Sequence, residues 1–525
     1  MRLVTPERMK RLDEYAIKEL GIPSSVLMEN AGRTTYRLAK ERYLKGRDRI
    51  VVFCGRGMNG GDGFVFARYA KKDGLPVKCL LLCKKADLKG DAEIMMRVFE
   101  RMEGEIVEEA HKRRDLVEEE LRKADIVVDA IFGTGLSKEV EGGEREVIEM
   151  MNACGKTILS IDIPSGLDGK KGRPLGVAVR ATHTYTYGLP KVGQMLMPGA
   201  EYVGRLTVVD ISIPASAEER IGVDGHLIDG DLIRGFLKRR RADAHKGSFG
   251  HVAVIAGSKG LTGAAHMASL SALKIGAGLV TLLIPKSLNA IMEVKLTEVM
   301  THPIEDEGKG YFPLRSFDEI KEFVADKDVI ILGPGLSREK EVGDLVRKIY
   351  VEMERPFVID ADGINAFEGH FELLKSFRRQ AVFTPHPGEL SRLISMPARQ
   401  INEERIDVGR SFVKDTGLIL VLKGARTVVF DRDGTFFINP TGNPALAKGG
   451  SGDVLTGFIG GLVSQGYSLL ESSIFSVYVH GLLADMWVEE HSEMDLLATD
   501  LLGYLGKALR EIRDGKERTL VDVSL

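Results

Sequence analysis

The sequence predicts an α/β protein of two domains, each built on a mostly parallel sheet. Apolar strand-like runs alternate with amphipathic helical stretches along almost the whole chain, as is typical of βαβ architecture. The chain has 525 residues, which is too long for a single domain with one hydrophobic core. A polar stretch around residues 216–231 interrupts the alternation. We therefore predict a first domain over residues 1–218 and a second over residues 226–525.

The predicted strands end repeatedly in Gly, Asp or Pro, where open α/β sheets keep their ligand crevice. In the first domain these apolar runs cover residues 50–54, 77–82, 124–132, 157–164, 182–188 and 205–214. In the second domain they cover residues 251–258, 278–285, 328–335, 356–363, 381–387 and 418–425.

Composition and charge narrow the class of protein. Hydrophobic residues make up 44% and charged residues 28%, as in soluble globular proteins. The net charge of -3 gives no global positive field to attract nucleic acid or an anionic membrane. No apolar run has the length of a membrane helix, and the N-terminal segment does not read as a signal peptide. The four cysteines form no C-x-x-C pair, so we expect buried thiols in a reducing cytoplasm.

A G-x-G-x-x-G motif follows the first predicted strand, at residues 55–60. Such glycines let backbone N–H groups approach a pyrophosphate, although the motif alone is weak evidence. A fold that uses NAD as a redox cofactor needs an acid after the next strand, but residues 83–85 read Cys-Lys-Lys. The loop also carries Asn59 and Asp62, which a plain phosphate cradle does not need. These features argue against a redox cofactor.

Two acids, Asp129 and Asp162, end later strands of the first domain. Each alone could cap the turn that follows it. Because parallel strands end at one edge of a sheet, both are also expected near the loop that carries Asn59. A partly desolvated carboxylate at that edge can act as a general acid or base.

Four segments of the first domain together resemble the NAD(P)H-hydrate epimerase family: LDEYAIKELGIPSSVLMENAGR, GRGMNGGDGFVFAR, DAIFGTGL and IDIPSGLDG. The resemblance covers about residues 1–215 and implies a Rossmann-like, three-layer α/β fold. It also implies a damaged dinucleotide as the ligand, hydrated at C6 of the nicotinamide ring.

The same resemblance implies the roles of individual residues. A potassium ion would be bound by Asn59, Asp129 and Ser165, and oxygen ligands suit such a hard cation. Asp162 would be the catalytic acid or base. The substrate would be bound by Met58, Asn59, Gly60, Gly61, Asp62, Gly133, Thr134, Gly135, Leu136 and Asp162.

The sequence GGSGD, at residues 449–453, is the sharpest signal of the second domain. Consecutive glycines leave backbone N–H groups free to converge on an anion, and a predicted helix starts directly after them. Asp453 at that helix start can take the proton of a hydroxyl that attacks a phosphoryl group. A glycine-rich turn with an Asp cap is the alternative. There is no Walker motif, so the chain is not a P-loop enzyme.

This arrangement resembles the ribokinase superfamily and, more narrowly, the ADP-dependent NAD(P)H-hydrate dehydratases. The resemblance runs from about residue 240 to 510, over HKGSFGHVAVIAGSKG, GPGL, DADGIN, TPHPGEL, VLKGARTVV and NPTGNPALAKGGSGDVLTG. It implies a ribokinase-like α/β fold, ADP as co-substrate and a magnesium ion with it. Lys448 and Ser451 depart from the family pattern, as Met58 does in the first domain, without removing the glycines or Asp453.

The second resemblance also assigns residues. Asp453 would be the catalytic base. The anion hole would comprise Gly449, Gly450, Ser451 and Gly452. The nucleotide would be bound by Lys423, Gly424, Ala425, Arg426, Thr427 and Gly452, and the hydrate by Ala253, Gly335, His386 and Asp453.

Alternatives remain for some of these residues. His386 could be a simple turn histidine between two prolines. The acids of DADGIN, residues 360–365, could arrange a magnesium-bound phosphate or cap the end of a strand.

Together the two halves predict a bifunctional, cytoplasmic repair enzyme, an isomerase joined to a lyase. It would epimerise the R and S hydrates of NADH and NADPH and dehydrate the S form with ADP. We expect small-molecule substrates, no nucleic-acid or membrane partner, and a homo-oligomer. The alternative is an ATP-dependent small-molecule kinase fused to a non-catalytic, Rossmann-like binding module.

Overall fold

A computed structural model describes residues 1–516 and 521–524 and divides the chain into two compact units. The first unit comprises Met1–His226 together with the C-terminal segment that carries the last strand, and the second begins at Leu227. Among the described residues, none of the helices combines the length and apolar character needed to cross a membrane.

The first unit is built on a parallel sheet whose central strands are short and deeply buried. In chain order its strands are β1 (Arg2–Leu3), β2 (Ile50–Cys54), β3 (Val77–Leu81), β4 (Glu105–Val107), β5 (Ile126–Ala130), β6 (Thr157–Ile161), β7 (His183–Tyr187), β8 (Arg205–Val209) and β9 (Gly225–Leu227). The main sheet has the order β8-β7-β6-β5-β2-β3-β4, and β1, which is not part of it, pairs antiparallel with β9. The chain order reverses between β2 and β5, so a crevice is expected where Cys54 and Ala130 pair at the carboxyl ends.

Helices cover both faces of this sheet. They are α1 (Pro6–Lys18), α2 (Ser24–Arg42), α3 (Met58–Lys72), α4 (Gly90–Arg101), α5 (Arg114–Lys123), α6 (Gly142–Ala153), α7 (Val192–Met195), α8 (Gly199–Val203) and α9 (Ala215–Ile221). Alternate residues of β2 belong to different cores: Val52 packs with α2, α3 and α4, whereas Val51 packs with α5 and α6. The predicted three-layer, Rossmann-like arrangement is confirmed.

The cysteines lie only partly as expected. Cys54 and Cys79 are buried in the sheet, but Cys83 and Cys154 are partly exposed, so the expectation that all four are buried is wrong. Cys83 follows β3 and Cys154 follows α6, where the chain leaves regular structure and the core ends.

The second unit contains a longer sheet with the same parallel centre. Its strands are β10 (His251–Ile255), β11 (Leu279–Pro285), β12 (Met300–Ile304), β13 (Val329–Leu332), β14 (Phe357–Ile359), β15 (Ala381–Phe383), β16 (Ile419–Leu422), β17 (Val428–Phe430) and β18 (Phe436–Ile438). Their order is β18-β17-β16-β15-β14-β13-β10-β11-β12, with antiparallel pairing only from β16 to β18.

The helices of the second unit include two that cross at very close range. They are α10 (Gly230–Phe236), α11 (Thr262–Lys274), α12 (Asn289–Lys295), α13 (Phe317–Val324), α14 (Lys340–Glu352), α15 (Asp362–Asn365), α16 (Glu372–Ser376), α17 (Pro387–Ile394), α18 (Ala398–Glu403), α19 (Arg405–Thr416), α20 (Ser451–Ser464), α21 (Leu469–Trp487) and α22 (Leu501–Arg513). A methyl group on Gly457 of α20 would lie 1.9 Å from Ser271 Oγ of α11. Glycine there lets α20 pack closely, and this packing fixes the helix that begins at the GGSGD loop.

The last strand, β19 (Val521–Ser524), returns to the first unit. It pairs in parallel with β8, with Val521 opposite Leu206. The carboxylate of Asp522 accepts from Arg42 at 2.9 Å and from Arg205 at 3.1 Å. The second unit is therefore inserted, along the chain, between β9 and β19 of the first.

Candidate active sites

A cavity of about 960 Å³ lies in the first unit at the carboxyl ends of its strands. The loops after β2, β5 and β6 contribute to its wall. Of the ten residues predicted to bind the first substrate, these eight line it: Met58, Asn59, Asp62, Gly133, Thr134, Gly135, Leu136 and Asp162. The structure thus gathers residues that are up to a hundred positions apart in the sequence, because parallel strands end at one edge.

Gly60 and Gly61, the other two predicted residues, are not among those that line the cavity, but they shape the loop that does. A methyl group on Gly60 would lie 2.0 Å from the carbonyl oxygen of Gly55, so only glycine allows the first turn of α3 to pack on the loop before it. At Gly61 a methyl group would lie 2.6 Å from Met28 Cε. The motif glycines therefore shape the loop through close packing.

Asp162 is held in an unusual backbone conformation beside a lysine. Its φ of 64° lies in the left-handed region, which residues other than glycine adopt at a cost. Its carbonyl oxygen accepts from Gln194 Nε2 at 2.8 Å, and its carboxylate lies 2.5 Å from Lys191 Nζ. Lys191 is 1% exposed and also donates to Thr186 and to the carbonyl oxygen of Tyr187, both at 3.0 Å. The ammonium group therefore orients a carboxylate that faces the cavity.

Two further carboxyl groups share this cavity. Burial raises the pKa of Asp62, and the neighbouring charges of Asp162 and Asp13 raise it further. Burial also raises the pKa of Asp13 to about 7, although Lys191 opposes the shift. Neither Asp13 nor Lys191 is among the site residues predicted from the sequence. Asp13 follows the buried Leu12 on α1, and an acid at the edge of an apolar helix face is the signal that was available.

All three residues predicted to bind potassium are buried, and two of them, Asp129 and Ser165, are hydrogen-bonded to each other. Asp129 is fully buried, and its carboxylate accepts from Ser165 Oγ at 2.5 Å, from Ser165 N at 2.8 Å and from Ser160 Oγ at 2.8 Å. Burial raises the pKa of Asp129 while these hydrogen bonds oppose the shift. The side-chain amide of Asn59 is buried, and neither its oxygen nor its nitrogen has a hydrogen-bond partner among the described residues. A buried amide oxygen without a hydrogen-bond partner and this set of oxygen donors fit the chemistry of a hard cation.

The second unit brings a different set of groups together around Lys423. Its Nζ lies 2.7 Å from Asp360 Oδ1 and 3.9 Å from Glu389 Oε2. The other oxygen of Asp360 accepts from Thr456 Oγ1 at 2.7 Å. Burial lowers the pKa of Lys423, but the charges of Asp360 and Glu389 outweigh burial and leave it raised. Lys423 therefore stays positively charged.

Asp453 lies in the first turn of α20, close to this lysine. A methyl group on the preceding Gly452 would lie 3.3 Å from Lys423 Nζ. Burial raises the pKa of Asp453 to about 7; the charge of Asp360 adds to the shift and that of Lys423 opposes it. A carboxylate with a pKa near neutrality is suited to take a proton and return it.

The start of α20 has the properties of an anion hole. Gly450, with a φ of 98°, is the N-cap, and no side chain caps this end of the helix. The first amide N–H groups of a helix have no partner within it, and the helix dipole favours an anion there. Ser451 Oγ donates to the carbonyl oxygen of Leu446 at 2.9 Å, which fixes the loop.

The predicted nucleotide loop, residues 423–427, connects β16 to β17. Thr427 Oγ1 donates to the carbonyl oxygen of Gly424, and Arg426 donates to that of Pro440 at 2.7 Å. Arg405, which is not among the predicted site residues, donates to the carbonyl oxygens of Leu422 at 2.7 Å and Lys423 at 2.9 Å. Arg405 thereby fixes the base of the loop.

The residues predicted to bind the second hydrate are less close together. His386 caps α17: its Nδ1 accepts from Gly388 N at 3.0 Å, and its side chain is 53% exposed. Gly335 has a φ of 63° in the loop after β13. Ala253 is the middle residue of β10 and has no exposed surface, so the structure does not bring it to this edge of the sheet.

The acids of DADGIN have separate roles. Asp360 pairs with Lys423. The Asp362 carboxylate instead accepts from Ser337 N at 2.9 Å and from Asn365 Nδ2 at 3.2 Å, as a strand-end cap does. Within the described ranges, no group of three or more His, Cys, Asp or Glu residues is arranged to hold a metal ion.

Comparisons with known proteins match the two parts of the chain to two different protein families. A family model described as NAD(P)H-hydrate dehydratase matches residues 252–507, and one described as YjeF-related protein N-terminus matches residues 24–193. The bifunctional NAD(P)H-hydrate repair enzyme Nnr of Moorella thermoacetica is 40% identical over 532 residues, covering 100% of this chain and 99% of that protein. The chain belongs to this family.

Other members of the bifunctional NAD(P)H-hydrate repair enzyme family show the same full-length similarity. The protein of that name from Thermofilum pendens is 38% identical, covering 99% of this chain and 98% of that protein. A crystal structure of the ADP/ATP-dependent NAD(P)H-hydrate dehydratase of Bacillus subtilis is 29% identical over 55% of this chain and 100% of that one, with a TM-score of 0.48. The family identified from the motifs is confirmed, and so is the bifunctional class; a kinase fused to a non-catalytic module is not favoured.

Proposed function

We propose that this chain repairs hydrated NADH and NADPH with both of its units. The first unit would interconvert the R and S hydrates, and the second would dehydrate the S form with ADP, which yields AMP and phosphate. The observation that carries the proposal is that each unit has its own half-buried carboxylate next to a lysine, Asp162 beside Lys191 and Asp453 beside Lys423. A single-activity enzyme would not need both.

The second site supports phosphoryl transfer followed by elimination. Hydroxide is a poor leaving group, so the C6 hydroxyl must first be activated. Asp453 would take the hydroxyl proton while the oxygen attacks the terminal phosphorus of ADP, and AMP would leave. The amides of Gly449, Gly450, Ser451 and Gly452 would stabilise the transferring charge. The ring nitrogen would then expel phosphate, and loss of a C5 proton would restore the dihydropyridine.

Lys423 would neutralise phosphate charge at this site. It is buried, positively charged and adjacent to Gly452. Asp360, Glu389 and Asp453 surround it with negative charge, so a polyphosphate is expected to arrive with a divalent cation. We propose magnesium for that role. Residues 424–427 would contact the nucleotide, and Gly335 and His386 the hydrate; Ala253 would act only by shaping the strand beneath them.

In the first site, Asn59, Asp129 and Ser165 would hold potassium. These residues come from α3, β5 and the loop after β6, so a bound cation would link segments that form the cavity. Gly133–Leu136 and Asp62 would contact the substrate, and Asp162 would exchange a proton with it. We further propose a cytoplasmic homo-oligomer that acts on small molecules, without a nucleic-acid or membrane partner.

The experiment uses the full chain with a mixture of R and S NADPH hydrates and ADP. We expect complete return of dihydronicotinamide absorbance with one AMP for each molecule repaired. Recovery of only the S half, apart from slow spontaneous epimerisation, would contradict the first activity. A stable phosphorylated product without dihydronicotinamide would favour the kinase alternative. A parallel reaction with ATP in place of ADP measures the preference for the phosphate donor.

A further inference from the structure

One acid in the cavity of the first unit has no role in the function proposed above. Asp13 lies on α1 and lines the same cavity as Asp162. Asp162 is ion-paired with Lys191 at 2.5 Å, but the Asp13 carboxylate has no side-chain hydrogen bond within the described part of the chain. Its interactions with Lys191 and Asp162 are electrostatic. Asp13 is therefore available to a ligand, whereas Asp162 is already oriented by a partner.

The charged groups around Asp13 come from several elements. Lys191 precedes α7, Asp162 follows β6 and Asp62 lies on α3; Glu7 and Lys10 line the cavity from α1 itself. Burial and the negative charge of Asp162 raise the pKa of Asp13 to about 7, against the opposing charge of Lys191. Near neutral pH the cavity therefore contains the ion-paired carboxylate of Asp162 and an Asp13 carboxyl group that can give up a proton, besides the carboxyl group of Asp62, whose pKa is also raised.

We propose that Asp13 is a second catalytic residue of the epimerase reaction, acting as the acid while Asp162 acts as the base. The inference rests on the proposed function of the first unit. Inversion at a carbon that bears both a hydroxyl and a ring nitrogen needs two proton transfers, one at oxygen and one at nitrogen. Two carboxyl groups with different partners in one cavity meet that requirement.

The step balances without any co-reactant. Asp162 takes the proton of the C6 hydroxyl, and the oxygen electron pair forms the carbonyl bond of an aldehyde. The C6–N1 bond breaks, its electron pair goes to N1, and Asp13 gives N1 its proton. After rotation about the C5–C6 bond, N1 attacks the other face of the aldehyde. Asp13 recovers its proton from N1, and Asp162 returns its proton to oxygen.

Ring opening also keeps the two activities separate. Loss of hydroxide from C6 would leave a cation that needs only to lose a C5 proton to become the dihydropyridine, without ADP. Protonation at N1 directs bond breaking to C6–N1 and keeps the oxygen on carbon. An acid near the ring nitrogen therefore suits an epimerase that supplies a separate dehydratase.

The test compares Asp13→Asn, Asp13→Glu and the matched control Glu14→Gln, all in the full chain. Glu14 lies next to Asp13 on α1, is 47% exposed and pairs with Lys18 in the next turn. Conversion of pure R to S hydrate is followed by chromatography. We expect Asp13→Asn to lower kcat on the order of 100-fold with little change in KM, Asp13→Glu to restore part of the rate, and Glu14→Gln to match the wild type. Asp13→Asn is uncharged, so the buried position should tolerate it.

The pH profile and the second activity separate catalysis from a structural role. Because Asp13 must carry a proton, wild-type kcat/KM should fall above about pH 7, and this limb should vanish in Asp13→Asn. Dehydration of pure S hydrate by the same variant should be unchanged. The proposal would be overturned if the Asp13→Asn variant kept the wild-type rate, or kept the fall of kcat/KM at alkaline pH. It would also be overturned if the Asp13→Glu variant were no faster than the Asp13→Asn variant. A wild-type chain that dehydrates S hydrate but never interconverts R and S would instead overturn the proposed function, and this inference with it.

Discussion

The two candidate sites place a lysine differently with respect to the reactive carboxylate. In the first unit, Lys191 Nζ lies 2.5 Å from Asp162 itself. In the second, Lys423 pairs at 2.7 Å with Asp360, and Asp453 remains beside that pair with a pKa raised by burial to about 7. The first arrangement orients a carboxylate through a direct ion pair, whereas the second leaves a carboxylate whose pKa lies near neutrality.

The difference fits the role that we propose for each carboxylate. An epimerase returns its substrate without a co-substrate, so its base is restored within each turnover and benefits from a fixed geometry. A base in phosphoryl transfer acts next to an incoming polyphosphate, and a direct lysine partner would be drawn away to the phosphate. Placing Lys423 on Asp360 leaves the ammonium near Gly452 without tying it to Asp453.

The largest expected effect tests whether the two carboxylates act independently. We expect Asp453→Asn to lower dehydration of S hydrate by roughly 10²–10⁴-fold while epimerisation continues, because a general base is lost. Asp162→Asn should have the reverse effect. Separate assays with pure R and pure S hydrate measure both rates. If either variant lost both activities while its thermal unfolding was unchanged, the sites would not be independent.

The next effect concerns stability in the second unit. Lys423→Met should lower the free energy of unfolding by about 3–5 kcal/mol, because the Asp360 carboxylate, 2% exposed, would lose its ionic partner. Denaturant unfolding of the full chain measures the change. The double variant Lys423→Met with Asp360→Leu should recover most of the loss; no recovery would show that the pair is not its cause.

The pH dependence sharpens the comparison further. Asp453 must be deprotonated to act as a base, so kcat/KM for dehydration should rise about tenfold for each pH unit below pH 7 and level off above it. Epimerisation should instead fall on the alkaline side. Lys423→Arg keeps the positive charge and should therefore keep the rise of the dehydration kcat/KM below pH 7. A dehydration rate that is constant from pH 5 to pH 8 would contradict the role of Asp453.

The smallest effect separates two roles of His386. Because its Nδ1 accepts from two amides at the start of α17, His386→Ala should cost about 1 kcal/mol of stability, whereas His386→Asn should keep the cap. If His386 also binds the hydrate, His386→Asn should raise KM for S hydrate without changing thermal unfolding. An unchanged KM would leave only the capping role.

The site residues that directly follow a strand could be predicted from the sequence. Those that reach a site from a helix or a loop without a motif were not predicted. Asn59, Asp129 and Asp162 were identified because parallel strands place their carboxyl ends together. Asp13 comes from a helix that precedes the main sheet, and its position at the edge of an apolar helix face was the local signal for it. Lys191 comes from a loop without a motif, and no local pattern marks it. Ala253 is a residue that the family resemblance predicted to bind the hydrate. Its position in the middle of β10 leaves it with no exposed surface.

Short and isolated strands were missed for a related reason. β17 and β18 have three residues each, too few to show a period, and they extend the second sheet through antiparallel pairing. β19 is separated from its neighbour β8 by more than three hundred residues. The motif loops were predicted well because their glycines are required locally, as Gly60 is by the carbonyl group of Gly55.

The placement of β19 has a consequence for any attempt to divide the protein. A fragment cut after His226 would keep every motif of the epimerase but would leave β8 with an unpaired edge, and Arg42 and Arg205 without Asp522. The complementary fragment would carry a strand that has no sheet of its own to join. The two units thus have separate candidate sites, but the residues of the first unit lie both before and after those of the second in the sequence. A working epimerase module is better made by excising the second unit and joining β9 to β19 through a short linker.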